Sequence, residues 1–244
     1  SNHITNHNQR YRAGRGLPLP QTAYPQIGAG QGAQGTGQQA RRESVLTVAE
    51  HGFYNRFITF VEHSGTHFDA PCHMVEGQAS VDQVPASSLV APVAMIDIAA
   101  RIGDDADGVL LPSDIAAFEA RHGRIPNGAA VFLRTGWEAW NTYPKRYMNE
   151  GGPLRFPGFG ADAARILVDE RGAIGLGIDT LGVDSGENEA FAVHRTVSHA
   201  KGLWHLENLT NLAQLPPLGA WVIVGVLKLT GGSGSPARVI ALVP

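Results

Sequence analysis

The chain has 244 residues, a net charge of −3, and is 43% hydrophobic but only 17% charged. That is enough for one large domain or two small ones with an ordinary core. With no basic run it excludes nucleic acid and anionic membrane as natural partners. The one cysteine, Cys72, excludes an intrachain disulfide and fits a reducing, cytoplasmic setting. No apolar run reaches the length of a membrane span. Few charges combined with many apolar strands favour a homo-oligomer.

Residues 1–43 are polar and rich in Gly, Gln and Pro, and GAGQGAQGTGQQA is close to low complexity. They read as an arm, either solvated or draped over a neighbouring subunit, ahead of a domain at residues 44–244. The opening SNHITNHNQR lacks the apolar core of a signal peptide. Residues 44–49 and 57–61 read as strands, with His51-Gly52 turning between them.

The second strand is expected to run straight into His63-Ser64-Gly65-Thr66-His67-Phe68-Asp69-Ala70-Pro71-Cys72-His73. Its three histidines and aspartate stand at odd positions, so an extended chain would aim all four to one side. Gly65, Thr66 and Pro71 argue against a helix. Imidazole and carboxylate are ligands for zinc, manganese or iron, and a set of this kind leaves coordination positions open for catalysis. One histidine on an apolar strand is ordinarily a packing residue. Three with an aspartate on one face point to metal. Cys72, at an even position, faces away as a small apolar residue.

Residues 84–89 read as a short helix and 94–98 as a buried strand. Ser113 reads as the N-cap of a helix ending near Gly123, followed by a strand at 130–135. Residues 137–160 are aromatic and glycine-rich. They form either a self-packed surface loop or a pocket wall for a flat ligand, with Trp137, Trp140 and Phe159 as substrate-binding candidates. A helix at 161–171 closes on Gly172, and a strand at 174–179 ends at Asp179, which reads as fixing a turn. Then come His194, His199, His205 and Glu207, with His205 read as a surface or packing histidine. Strands at 221–229 and 238–243 finish the chain, with residues 231–236 turning between them. The count is about seven strands and three or four helices, mixed rather than alternating. No nucleotide fingerprint is present, and the isolated Gly175-x-Gly177 is too weak to read as one.

HSGTHFDAPCH fits the HxGTHxDxPxH signature of the metal-dependent cyclase family, which includes bacterial kynurenine formamidases and isatin hydrolases. Arg134-Thr135-Gly136-Trp137, Phe156-Pro157-Gly158, Gly177-Ile178-Asp179-Thr180 and Leu206-Glu207-Asn208-Leu209 resemble further family segments. The likeness therefore runs from about Glu43 to the C-terminus. It implies an α/β fold, a swivelling β/β/α domain with a mixed sheet, assembled as homodimers or homotetramers. By the same likeness His63, His67 and Asp69 fall on metal ligands, and His73 on the acid/base residue. Glu207 falls on a later carboxylate that binds one ion or bridges two.

In the formamidases a further histidine precedes that glutamate by about one helix length. Here the expected place holds Arg195, with His194 beside it. Either His194 or His199 takes the role, or the site holds a single ion. The implied cofactor is Mn2+ or Zn2+, one or two per chain. The implied reaction is hydrolysis of a small cyclic or N-formyl amide, aromatic ones included. A cyclase or lyase using the same metal, and a non-catalytic metal-binding protein, are the alternatives.

Overall fold

The computed structural model describes residues 41–244, so the arm read over residues 1–43 lies, up to residue 40, outside the described residues. A hairpin comes first: β1 (Arg41–Leu46) and β2 (Asn55–Thr59), joined through the short helix α1 (Val48–His51). There follow β3 (His67–Asp69), β4 (Val90–Asp97), α2 (Ala99–Ile102), β5 (Val109–Leu110), α3 (Pro112–His122), β6 (Ala130–Arg134) and α4 (Pro144–Tyr147). The rest is β7 (Gly158–Phe159), α5 (Ala161–Arg165), β8 (Gly175–Ile178), β9 (Trp204–Glu207), β10 (Trp221–Val226) and β11 (Gly234–Leu242). Among the described residues no helix is long and apolar enough to cross a membrane.

Seven of these strands close into a barrel in the order β10-β11-β3-β9-β8-β6-β4, with β4 returning to β10. The run β4-β6-β8-β9 is parallel and the remaining pairs are antiparallel, so the sheet is mixed as the likeness implied. Alternation along the strands sends side chains to two cores. Val93 and Met95 of β4, Phe132 of β6, Leu206 of β9 and Val222 of β10 meet in one cluster, the barrel interior. Ala94, Ile96, Val131 and Leu133 face the other way, against Ile115 and Phe118 of α3 and Ala164 of α5. The Gly175-x-Gly177 pair belongs to this packing. A Cβ at Gly175 would lie 2.5 Å from the Trp204 ring, and one at Gly177 would lie 2.6 Å from Phe132.

Several boundaries differ from expectation for local reasons. The strand placed at 57–61 stops at Thr59, and the first strand ends at Leu46, ahead of α1. The motif is extended only over β3. Gly65 turns at φ 62°, and Pro71–His73 form a helical turn that suits the fixed φ of Pro71. Helix α3 starts one residue ahead of Ser113, with Pro112 in its first turn. The Asp114 carboxylate accepts the Leu111 N–H at 2.8 Å in place of a serine cap. Helix α5 continues through the wider turns of Ile166–Glu170. Strand β9 was not anticipated at all, although it carries Glu207.

Candidate metal centre

The centre begins with register. Strand β3 pairs antiparallel with β9 so that His67 stands opposite Glu207, Phe68 opposite Leu206, and Asp69 opposite His205. Phe68, Trp204 and Leu206 fill the barrel. Period two then places His67, Asp69, His205 and Glu207 together on the outer face, as two cross-strand pairs. A slip of one residue would turn all four into the barrel and Phe68 out of it. All four are at most 1% exposed.

Three more histidines come from outside the strands. His63 reaches in over Gly234, where a Cβ would lie 2.5 Å from its ring. His73 sits at the end of the Pro71 turn, with its ring centroid 3.9 Å from that of His63. His194 comes from the helical segment Val193–Ser198, whose i+5 turn ends with the His199 N–H on the His194 carbonyl. Such a turn absorbs an extra residue. That is how His194, rather than the exposed Arg195, faces the carboxylates.

The hydrogen bonds around each imidazole decide which nitrogen is bare. The Ser233 hydroxyl donates to Glu62 Oε2 at 2.6 Å, so it accepts from His63 Nε2 at 2.9 Å. His67 Nδ1 donates to the Gly65 carbonyl at 2.9 Å, and His194 Nδ1 donates to Asp184 Oδ2 at 2.7 Å. Asp184 also accepts the Val193 and His194 N–H groups, which fixes the segment against it. The inner nitrogens all point at carboxylate oxygens. His63 Nδ1 lies 2.6 Å and His67 Nε2 3.2 Å from Asp69 Oδ1. His67 Nε2 is 3.3 Å from Glu207 Oε2, and His194 Nε2 is 3.2 Å from Glu207 Oε1 and 3.6 Å from Asp69 Oδ2. Lone pairs facing carboxylates repel unless a cation lies among them. His67 Nε2 and Asp69 Oδ2 are buried with no hydrogen-bond partner. An outer acceptor on each of His63, His67 and His194 is the arrangement that orients metal ligands.

Electrostatics agree. Burial pulls His67 down, but Asp69 and Glu207 outweigh it and hold the imidazole well above its ordinary value. His194 is raised in the same way, with Asp184 and Asp69 overcoming burial. Burial raises Asp69, yet His67, His194 and His63 hold it well below the usual carboxylate range. Burial and Asp69 raise Glu207, and His194 and His67 bring it down. A field that favours protons on buried imidazoles favours a divalent cation, whose binding releases those protons. Burial pushes His73 down to about 4 and His199 to about 3. The donor set fits a divalent metal. Two groups of candidate ligand atoms, each within 4.8 Å of one another, share Asp69: one with His63 and His73, the other with His194, His205 and Glu207.

The structure thus brings together His63, His67, Asp69, His73, His194 and Glu207. It also adds residues that were passed over. His205, read as a surface or packing histidine, is buried in the cluster, and His199, the candidate weighed beside His194, stacks on it with centroids 4.1 Å apart. Asp184 and Ser233 accept hydrogen bonds from the outer nitrogens of His194 and His63. Trp137 and Phe159 are each 1% exposed and lie in core clusters rather than in a pocket wall. The Trp137 indole N–H is spent on the Tyr147 carbonyl at 3.0 Å. Trp140 stays half-buried against Trp137 and Phe156. The aromatic ring beside the centre is instead Phe191, 37% exposed, held at φ 50° and 6.0 Å from the His194 ring. A non-glycine residue at positive φ costs energy and collects at functional sites.

The Cyclase family model matches residues 10–185 of this chain. The chain belongs to the cyclase family. Among relatives in this family, the isatin hydrolase of Roseibium aggregatum is 37% identical over 193 residues, covering 75% of this chain and 72% of the relative. The kynurenine formamidase of Paracidovorax citrulli is 27% identical over 182 residues, covering 75% and 76%. The solved cyclase-family structure of isatin hydrolase A from Labrenzia aggregata superposes with a TM-score of 0.78 at 36% identity, covering 84% of this chain and 83% of the other.

Proposed function

We propose that this cyclase-family protein is a metal-dependent hydrolase that opens the amide bond of a small cyclic amide of the isatin kind, with N-formyl arylamines as the second substrate class. The observation that carries the reading is the outer face of β3 and β9, where bare imidazole nitrogens converge on two carboxylates with no proton donor between them. The ligands proposed are His63, His67, Asp69, Glu207 and His194, and the ion is Mn2+ or Zn2+. The 37% identity to an isatin hydrolase supports the cyclic amide ahead of the formyl amide.

A divalent ion held there supplies Lewis acidity toward the amide carbonyl and acidifies water at neutral pH. The chain's own groups do the rest. His73, beside His63 and not fully enclosed, takes a proton from the attacking water at a ring nitrogen and returns it to the departing amide nitrogen. Glu207 is pinned by the Val183 N–H at 2.9 Å, which holds its carboxylate toward the imidazoles. Phe191 offers a face to a flat substrate, and Trp140, backed by Trp137, lines the neighbouring loop. Residues 44–244 form the catalytic unit, working in the cytoplasm as a homodimer or homotetramer.

The test is a chelated protein assayed on isatin, an N-formyl arylamine and an aliphatic lactam, with Mn2+ or Zn2+ returned. Isatin opening that disappears on chelation and recovers on metal addition is the expected result. Faster turnover of the formyl arylamine reverses the substrate order. A dehydrated or cyclised product in place of a hydrolysed one assigns the centre to a lyase or cyclase.

A further inference from the structure

Strand β11 has nine residues, but only Gly234, Ser235 and Pro236 have β3 beside them. One further bond follows on that side, from the Ala237 N–H to the Thr66 carbonyl at 3.0 Å. The backbone groups of successive strand residues point alternately to the two sides. Those of Val239 and Ala241 therefore point the same way as those of Ala237, past the start of β3, where Gly65 turns at φ 62°. Among the described residues no strand pairs with them there. The barrel wall has a slot at this seam, edged by unpaired N–H and C=O groups.

A cavity of about 490 Å³ occupies the slot. Phe132, Leu209, Leu212, Leu215 and Val239 line it, all within or against the barrel cluster. The small Ala241 leaves it room at the edge. The one charged residue of the lining is the exposed Arg238, and no carboxylate stands among the lining residues to neutralise it. The metal centre is on the outer face of β3 and β9, so none of its proposed ligands lines this cavity.

We propose that this slot binds a small N-acyl amino acid. The apolar acyl chain lies against the leucines and Phe132. The amide pairs with the free edge of β11 as a strand residue would, since an extended ligand gains main-chain hydrogen bonds at an open edge. The carboxylate meets the Arg238 guanidinium in a charge-assisted bond. Apolar walls with a few placed polar groups, at this volume, are what a small-ligand cavity has. The assignment uses no residue of the metal centre and does not depend on which amide the centre opens.

The experiment titrates the whole chain, with Zn2+ added, with N-octanoylglycine in a calorimeter. One saturable site is expected. N-octanoylglycinamide, which lacks the charge, should bind about 10–100-fold more weakly. Decanoate, which lacks the amide, should bind about 3–10-fold more weakly. N-acetylglycine, which lacks the chain, should bind at least about 100-fold more weakly. In Arg238→Gln the acid and its amide should bind alike, and Ala241→Phe should fill the cavity and abolish binding. If Ala241→Phe does not fold, leucine methyl NMR of the wild type decides. The Leu209, Leu212 and Leu215 signals are expected to move on binding, and unmoved signals overturn the assignment. No binding to the wild type overturns it, as does decanoate binding as tightly as N-octanoylglycine. Binding that both variants leave unchanged and that chelation removes places the carboxylate on the metal and overturns the proposal as well.

Discussion

Asp69 and Asp179 are both fully buried, but their surroundings are opposite in kind. Asp179, just after β8, accepts from the Thr135 N–H at 2.9 Å, the Thr135 hydroxyl at 2.6 Å and the Gly136 N–H at 2.8 Å. Every partner is a donor, and the carboxylate ties the end of β6 to the end of β8. Burial still lifts its pKa, with those hydrogen bonds opposing. Asp69 meets only imidazole nitrogens, and its Oδ2 meets no donor at all. Burial alone therefore does not mark a ligand. The surroundings separate the two, hydrogen-bond donors at Asp179 and imidazole nitrogens at Asp69.

The largest effect that would break this contrast is at Asp69 itself. Asp69→Ala should lose its metal and, because a Lewis acid supplies several kcal/mol, lower amide turnover by about 10³-fold or more. Asp179→Asn should retain the metal. Elemental analysis and isatin turnover on both variants check it, and full metal retention in Asp69→Ala would erase the distinction.

Next comes His73, which stands within ligand distance of Asp69 yet is assigned to proton transfer. His73→Ala should keep the metal and lose about 10²–10⁴-fold in turnover. If metal is lost as completely as in His67→Ala, His73 joins the ligands.

The structural half of the contrast is measured by stability. Asp179→Asn leaves donors facing an amide, at a cost of about 1–3 kcal/mol in denaturant unfolding, with metal content unchanged. A fall in metal content there would make Asp179 part of the centre after all.

Glu119 supplies the smallest effect, as a carboxylate paired with a cation. Its pKa is lowered chiefly by the Arg171 hydrogen bonds, at 2.8 Å and 2.9 Å. The stability it contributes is present above the ordinary glutamate value of 4.5 and is lost as pH falls through the lower folded value. Glu119→Gln should flatten that acid limb of the melting temperature slightly, since pairs near the surface contribute little. An unchanged acid limb would show that the pair carries no measurable stability.

The residues that made the centre legible are those whose logic is local. His67 and Asp69 share a face because they are two apart on a strand, and the odd-position argument holds over β3. For His63 and His73 the argument reached the right neighbourhood for the wrong reason. Neither is on the strand, and both return to Asp69 through the Gly65 turn and the Pro71 turn. His205 was passed over although it lies two residues before Glu207. The same period-two reasoning would have paired them had Trp204–Glu207 been recognised as a strand.

Other features were not recoverable from local pattern. Trp137 and Phe159 look like pocket aromatics by composition, and only the packed clusters show them enclosed. Whether His194 or Arg195 faces the carboxylates depends on an i+5 turn, which no short pattern announces.

By itself, then, the sequence determined the family, the mixed α/β class and the strand that carries His67 and Asp69, because side-chain period and residue type act over a few neighbouring positions. Only the tertiary structure decided that the sheet closes into a barrel, that Glu207 and His205 stand opposite His67 and Asp69, and which imidazole nitrogens are bare. Those depend on register between strands well over a hundred residues apart and on outer partners such as Ser233 and Asp184, and such contacts exist only once the chain has folded.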